Sequence, residues 1–185
     1  MNTEVVNALS QLTSGKTILY PTDTVWGLGC DATNTAAVSE IFQLKNRAES
    51  KSLVVLVSSI EMLNKYIQDI PEKAIQIIKT SENPTTVIYQ NPKGFASNTV
   101  ASDNTIAIRI PKHHFCLELI DQFGKPIIST SANISGEPTP KSFSEISQPI
   151  LEGVDYIVNL ERDKITDKSS TILKLIGEDI EVIRD

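Results

Sequence analysis

Leu53-Val54-Val55-Leu56-Val57 is the longest apolar run in the chain. Five residues suit a strand rather than a helix, and a strand apolar on both faces needs cover on both sides. The run therefore reads as a buried strand in the middle of a sheet. Upstream of it, Val5, Val6, Leu9 and Leu12 recur at helical spacing before Gly15, and residues 17–20 read as a strand ended by Pro21. Ala37, Val38, Ile41 and Leu44 mark a second helix that runs out near Lys45. Downstream, Ser59 and Glu61 open a helix, and Pro71 stands at the start of another that carries Ile75 and Ile78. Residues 86–89 and 105–110 are strands, 113–123 a helix closed by Gly124, and 126–129 a strand. A polar loop over 131–140 and short β segments at 155–158, 171–175 and 180–183 complete the chain. Strands and helices mix without strict βαβ alternation. The expected fold is α/β (α+β), a single domain with a mixed sheet.

At roughly 150 residues per domain, 185 residues make one domain spanning 1–185. Apolar residues are 40% and charged residues 22%, which is ordinary for a globular chain and excludes disorder. Lysine and arginine total 17 against 23 acidic residues, a net charge of −6. A surface-wide basic footprint for duplex nucleic acid is thus absent, and an anionic ligand has to be met by a local cationic cluster. Cys30 and Cys116 are too few for a disulfide framework and too far apart for a metal-pair motif, so no metal ligands are expected. The N-terminus lacks a secretory pattern and no apolar run approaches 18 residues; the expectation is a cytoplasmic protein with no membrane contact.

Polar side chains at strand spacing carry the functional signal. In Thr105-Ile106-Ala107-Ile108-Arg109-Ile110, the isoleucines share one face and Thr105, Ala107 and Arg109 the other. That second face fits a solvated outer surface or a polar cavity. Ser129, Ser131 and Asn133 alternate beyond the strand at Ile127-Ile128, and ligands of open α/β sheets tend to sit off such strand ends. Thr22 and Thr24 share a side just after another strand. Three such places in one chain favour a site over three unrelated turns.

Lys45 and Arg47 stand two apart at a helix end and would diverge by about 200° inside a helix, so a shared ligand requires the helix to stop there. They suit the negative end of the helix dipole, or with Lys51 form the cluster a polyphosphate needs. Gly27 and Gly29 lack the third glycine of a dinucleotide fingerprint, and no Walker A pattern occurs. His113 and His114 read as structural or surface residues, Cys30 and Cys116 as core. Trp26 fits a packing role or a wall for an adenine.

Four blocks extend these readings: residues 20–31 (Tyr-Pro-Thr-Asp-Thr-Val-Trp-Gly-Leu-Gly-Cys-Asp), 44–47 (Leu-Lys-Asn-Arg), 107–111 (Ala-Ile-Arg-Ile-Pro) and 129–136 (Ser-Thr-Ser-Ala-Asn-Ile-Ser-Gly). In this order and spacing the chain resembles the YrdC family, which contains the L-threonylcarbamoyladenylate synthases of tRNA modification. The resemblance runs from Thr17 to about Pro140, with a weaker tail through Ser169-Ser170-Thr171-Ile172-Leu173. It implies a twisted mixed sheet around a large electropositive cavity. It also implies a nucleotidyltransferase that forms threonylcarbamoyl-AMP and pyrophosphate from L-threonine, bicarbonate and ATP, with Mg²⁺ accompanying the ATP.

By resemblance, Lys45, Arg47, Ser131 and Asn133 are catalytic. ATP is held by Arg47, Lys51, Thr105, Ser131, Asn133, Thr139 and Arg184, and L-threonine by Thr24, Arg109, Ser129 and Ser170, with Thr22 as a further candidate. The product is expected to pass to a threonylcarbamoyl transferase complex acting on tRNA, any direct tRNA contact being weak or indirect. The alternative is a non-catalytic RNA-binding or ribosome-associated module of the same fold. Only 5% of residues are aromatic, and no stacking cluster is visible, which disfavours it. The chain departs from the family pattern at Leu56, where a histidine is common, and at Asn83-Pro84-Thr85-Thr86, where Pro-Gly-Pro is usual. The short form, without the additional C-terminal domain of longer members, is expected. The moving parts are expected in 131–140 and 161–170.

Overall fold

Short-range chemistry sets where the elements begin and end. The computed structural model describes residues 2–48, 52–166, 168–177 and 179–185. In chain order these form α1 (Asn2–Thr13), β1 (Ile18–Tyr20), β2 (Gly27–Gly29), α2 (Thr35–Leu44), β3 (Val54–Leu56), α3 (Ile60–Tyr66), α4 (Glu72–Thr80), β4 (Thr85–Gln90) and β5 (Thr105–Arg109). There follow α5 (His114–Phe123), β6 (Ile127–Ile128), β7 (Thr130–Ser131), a 3₁₀ turn (Phe143–Glu145), α6 (Gln148–Gly153), β8 (Tyr156–Ile157), β9 (Thr171–Ile176) and β10 (Asp179–Arg184). Asn34 caps α2 by accepting from the amides of Ala36 and Ala37, and Ser59 caps α3 by accepting from Met62. Gly124 ends α5 at φ 71°, a left-handed conformation that suits glycine. Pro71 precedes α4 as its cap rather than opening it.

The strands make two sheets. One has the order β7-β2-β1-β8, the other β10-β9-β4-β5-β3-β6. The apolar run lies where its composition demands: β3 sits between β5, which it pairs in parallel, and β6, which it pairs antiparallel. Val55, Leu56 and Val57 are fully buried. The larger sheet is mixed throughout, with β4 antiparallel to β5 and parallel to β9.

The sheets share one continuous piece of chain. β6 belongs to the larger sheet and β7 pairs with β2 in the smaller, so the backbone changes sheets at Ser129. The crossing is fixed from both sides: the Ser129 amide donates to the Val54 carbonyl (2.8 Å) and the Ile128 amide to the Cys30 carbonyl (2.9 Å). Helix α1 packs along α5. Its buried face is Val5, Ala8 and Leu12, with Val6 left outside.

Two elements were not visible in the pattern. Strand β2 is Gly-Leu-Gly, and glycine carries no preference for a strand. Its glycines answer close approach instead, since a Cβ at Gly29 would lie 2.5 Å from the Ile128 carbonyl oxygen and 2.7 Å from the Tyr20 ring. Helix α6 is a six-residue element too short to show a period. The loop expected from Ser131 starts one residue later, because Ser131 pairs with Gly27 as part of β7.

Gly29→Ala is expected to lower the unfolding free energy by about 1–3 kcal/mol, read from urea denaturation. An unchanged midpoint would show that the β2–β6 approach is slack.

Candidate active site

The crossing at Ser129 opens a cavity of about 390 Å³ between the sheets. Its walls come from the loop before β2 (Thr24, Val25, Trp26), the entry to β3 (Ser52, Leu53), the end of β5 (Arg109), and Ser129, Thr130 and Ser131. Thr86, Lys168, Ser169, Ser170 and Arg184 close another side. Among these described residues the charged side chains are Arg47, Arg109, Lys168 and Arg184, and none is acidic.

Period two explains the β5 wall. Arg109 is the last residue of its strand, paired with Thr86 on one side and Leu56 on the other. Its guanidinium is buried and ion-paired with Asp23, whose carboxylate lies 3.3 Å from Nη1. The same Nη1 donates to the Thr24 hydroxyl at 3.2 Å, and the Asp23 carboxylate also accepts the Lys112 amide at 3.0 Å. Thr22 supports Thr24 rather than facing the cavity: its hydroxyl donates to the Val25 carbonyl (2.7 Å) and accepts the Thr24 amide (3.0 Å). Such a turn holds the Thr24 side chain in one orientation.

At the opposite wall α2 has to stop, and it does so through Asn46. This residue sits at φ 48°, which asparagine tolerates better than most side chains. The Arg47 amide then bonds the Phe42 carbonyl and the Asn46 amide the Gln43 carbonyl, the paired pattern of a Schellman end. Beyond that stop Arg47 and Lys45 part company. Arg47 lines the cavity, donates from Nη2 to the Ser52 carbonyl (2.9 Å), and burial lowers its pKa.

Lys45 turns inward and is 1% exposed. Its ammonium donates to the carbonyls of Ser131 and Asn133, the latter at 2.6 Å, and approaches Asn133 Oδ1 at 3.4 Å. The Lys45 carbonyl in turn accepts the Ser135 amide at 2.7 Å. Burial, with a smaller contribution from the nearby Arg47 charge, pulls the Lys45 pKa from 10.5 down to about 8.

The Ser131-x-Asn133 pair is built on this lysine. Ser131 Oγ donates to Asn133 Oδ1 at 2.5 Å, and the Asn133 amide donates to the carbonyls of Glu137 (2.7 Å) and Ile134 (3.1 Å). Ser131 lines the cavity, while Asn133 is spent on holding its own loop. On the far side Arg184 donates to the Ser170 carbonyl (2.8 Å), and Thr86 donates to the Ser170 hydroxyl (2.8 Å).

Thr24, Arg47, Arg109, Ser129, Ser131, Thr139, Ser170 and Arg184 thus share one cavity wall, whereas Lys45 and Asn133 stand behind it. Thr105 does not join them. It begins β5, four residues or about 13 Å from Arg109, and its hydroxyl is bonded to Asp103 (2.7 Å). Alternation put Thr105 and Arg109 on one face correctly, but sharing a face does not bring the two ends of a strand together. Lys51 lies outside the described residues.

Lys168 and Thr86 were missed. A lone lysine in an irregular segment has no period, and Thr86 is marked only by its register opposite Arg109, which a single strand cannot reveal. Trp26 is a buried packing residue 5.0 Å from the Phe143 ring, and it also lines the cavity. Cys30 and Cys116 are buried outside the cavity and burial raises both thiols, so neither is a nucleophile. His113 and His114 also lie outside it.

A mixed two-sheet α/β domain with a cationic, hydroxyl-lined cavity at its sheet crossing is a ligand-binding or enzyme scaffold. Residues 10–185 match the model of the Sua5/YciO/YrdC family, described as telomere recombination, and the chain belongs to that family. A threonylcarbamoyl-AMP synthase of Pseudoalteromonas translucida (strain TAC 125) is 35% identical over 158 residues, 84% of each chain. Pyrococcus abyssi Sua5, solved in complex with L-threonine, superposes with a TM-score of 0.88 at 29% identity, covering 97% of this chain. The present chain spans only 53% of that archaeal protein. Escherichia coli YciO superposes at 0.86 with 22% identity, covering all of this chain and 90% of its own, and shows the shared fold.

The depressed Lys45 pKa has a definite sign. The unfolded chain holds this proton more tightly, so the buried ammonium opposes folding below about pH 8. The penalty disappears as pH rises from 8 towards 10.5. Relative to Lys45→Met, the wild type is expected to gain roughly 3 kcal/mol of stability across that interval, measured by urea unfolding at each pH. A difference independent of pH would contradict the buried charge.

Proposed function

We propose that this chain is a threonylcarbamoyl-AMP synthase, using L-threonine, bicarbonate and ATP in the cavity at the sheet crossing. The observation that carries the reading is the charge of that cavity. In a chain of net charge −6, the described residues of its wall include Arg47, Arg109, Lys168 and Arg184 and no carboxylate. Such a lining suits a polyphosphate at one end and an amino-acid carboxylate at the other.

Arg109, buried, hydroxyl-flanked and held in place by Asp23, is assigned to the threonine carboxylate, which a planar guanidinium grips in a fixed orientation. Thr24, Ser129 and Ser170 complete the threonine end. Arg47, Ser131, Thr139 and Arg184 face the nucleotide, and Lys51 is retained as a nucleotide contact from the resemblance. Lys45 and Asn133 act by holding the Ser131 loop. Thr22 acts by holding Thr24.

In the reaction the threonine amine adds to bicarbonate with loss of water, giving the N-carboxy derivative. A carboxylate oxygen of that group attacks the α-phosphorus of ATP, the bond to the β-phosphate oxygen breaks, and pyrophosphate departs. No covalent enzyme intermediate is needed. The protein's part is to orient the two anions and offset the charge gathering on the phosphates. Mg²⁺ fits as a companion of ATP held by phosphate oxygens and water, since no acidic side chain lines the cavity and no cluster of metal-binding side chains occurs among the described residues. It would supply further charge neutralisation at the phosphates. The product, a mixed anhydride, is passed to a transferase that carries the threonylcarbamoyl group to a tRNA adenosine in the cytoplasm.

Pyrophosphate release from ATP is expected to require both L-threonine and bicarbonate. Arg47→Ala and Arg109→Ala should each lower it on the order of 100- to 1000-fold, with the circular dichroism of the folded protein retained. Release that is indifferent to threonine, or near-normal turnover in either folded variant, would overturn the assignment.

A further inference from the structure

Residues 161–166 lead towards the cavity as a strap whose far end, Lys168 to Ser170, lines it, and one residue of the strap touches more of the site than its position suggests. Thr166 Oγ1 donates to the Thr24 carbonyl at 2.5 Å. Its amide donates to the Lys141 carbonyl at 2.8 Å. Two residues further on, Lys168, Ser169 and Ser170 enter the cavity wall. Thr24 is itself a wall residue, and Lys141 lies two residues after the wall residue Thr139. With two hydrogen bonds, then, Thr166 joins three cavity segments that are remote in sequence: the loop before β2, the loop before the 3₁₀ turn, and the strap.

We propose that Thr166 is a positioning residue for the threonine end of the site, acting through the Thr24 carbonyl; this rests on the assignment of that end given above. The strap has a second attachment at its base, where Glu161 accepts from Lys164 (2.7 Å) and stands 3.2 Å from His113 Nε2. That attachment lies outside the main cavity wall. Among the described residues, the Thr166 hydroxyl connects the strap directly to the residue whose side chain meets Arg109. When that bond is lost, the Thr22–Val25 turn still holds Thr24 internally, but the loop as a whole is released from the strap. The expected consequence is a weaker grip on threonine with the nucleotide end little changed.

Thr166→Val removes the hydroxyl, keeps the amide bond to Lys141 and nearly keeps the volume. The expected result is a 5- to 20-fold rise in KM for L-threonine, KM for ATP within twofold of wild type, and an unchanged unfolding midpoint. Thr166→Ser, which restores the donor, should return KM for threonine to within twofold. Equal rises in both KM values, or failure of Thr166→Ser to rescue, would overturn the proposal in favour of a general structural role.

Hydrogen–deuterium exchange of the same proteins gives a readout independent of turnover. Amides at 22–27 and 168–170 should exchange faster in Thr166→Val, with those of β3 and β5 unaffected. Unchanged exchange at 22–27 overturns the clamp whatever the kinetics. Faster exchange in a protein whose wild type shows no threonine-dependent pyrophosphate release leaves the clamp standing and removes the threonine reading instead.

Discussion

A buried ammonium with no carboxylate partner among the described residues holds the site together. Lys45 gives up its water and receives carbonyl oxygens from Ser131 and Asn133 in return, so the loop that carries Ser131 is tied to the end of α2 by a charge-assisted bond. Without the tie, Ser131 would keep its strand pairing with Gly27 but lose the support behind its side chain, because Asn133 is oriented by the same lysine. Lys45 therefore acts on the cavity from outside it. The lowered pKa has the sign expected of that arrangement, in which the protein accepts a partly desolvated cation in return for a tied loop.

Around this tie the cavity is assembled from ends rather than from faces. Arg109 ends β5, Ser129 lies between β6 and β7, Arg184 ends β10, and Ser170 precedes β9. Three of the cavity side chains are then met by a neighbour: Arg109 by Asp23, Thr24 by Thr22 and Ser170 by Thr86. The division of labour leaves hydroxyls and guanidinium groups facing the cavity and the balancing carboxylate behind it. An acidic protein can thereby present a cationic interior, since Asp23 pairs with Arg109 without itself lining the cavity.

Much of this was legible in the chain, for physical reasons. The run at 53–57 reads as a central strand, and period two picks out Arg109, Ser129 and Ser131, which line the cavity. Helix ends were readable from Ser59 and Gly124, each of which does one identifiable job, whereas the Asn34 cap of α2 emerged only in the structure. What was not legible depended on partners distant in sequence. Lys45 reads as an exposed helix-end cation, and only the fold brings Ser131 and Asn133 over it. Thr105 shares a face with Arg109 yet lies at the wrong end of the strand, which alternation does not distinguish. Strand β2 is invisible because its glycines serve Tyr20 and Ile128 rather than a strand pattern. Lys168 stands in an irregular segment where no period applies.

The crossing at Ser129 also bears on how this chain can vary in length. One residue separates the pairing of Ile128 in the larger sheet from that of Thr130 in the smaller, and its amide is already committed to Val54. An inserted residue would invert the alternation from that point on, carrying Ser131 to the opposite face and drawing the carbonyls of Ser131 and Asn133 away from Lys45. Substitutions here can be absorbed by neighbours, but insertions and deletions cannot. Spacing is thus the strictly constrained quantity in this stretch, fixed by two sheets at once rather than by the identity of any one side chain.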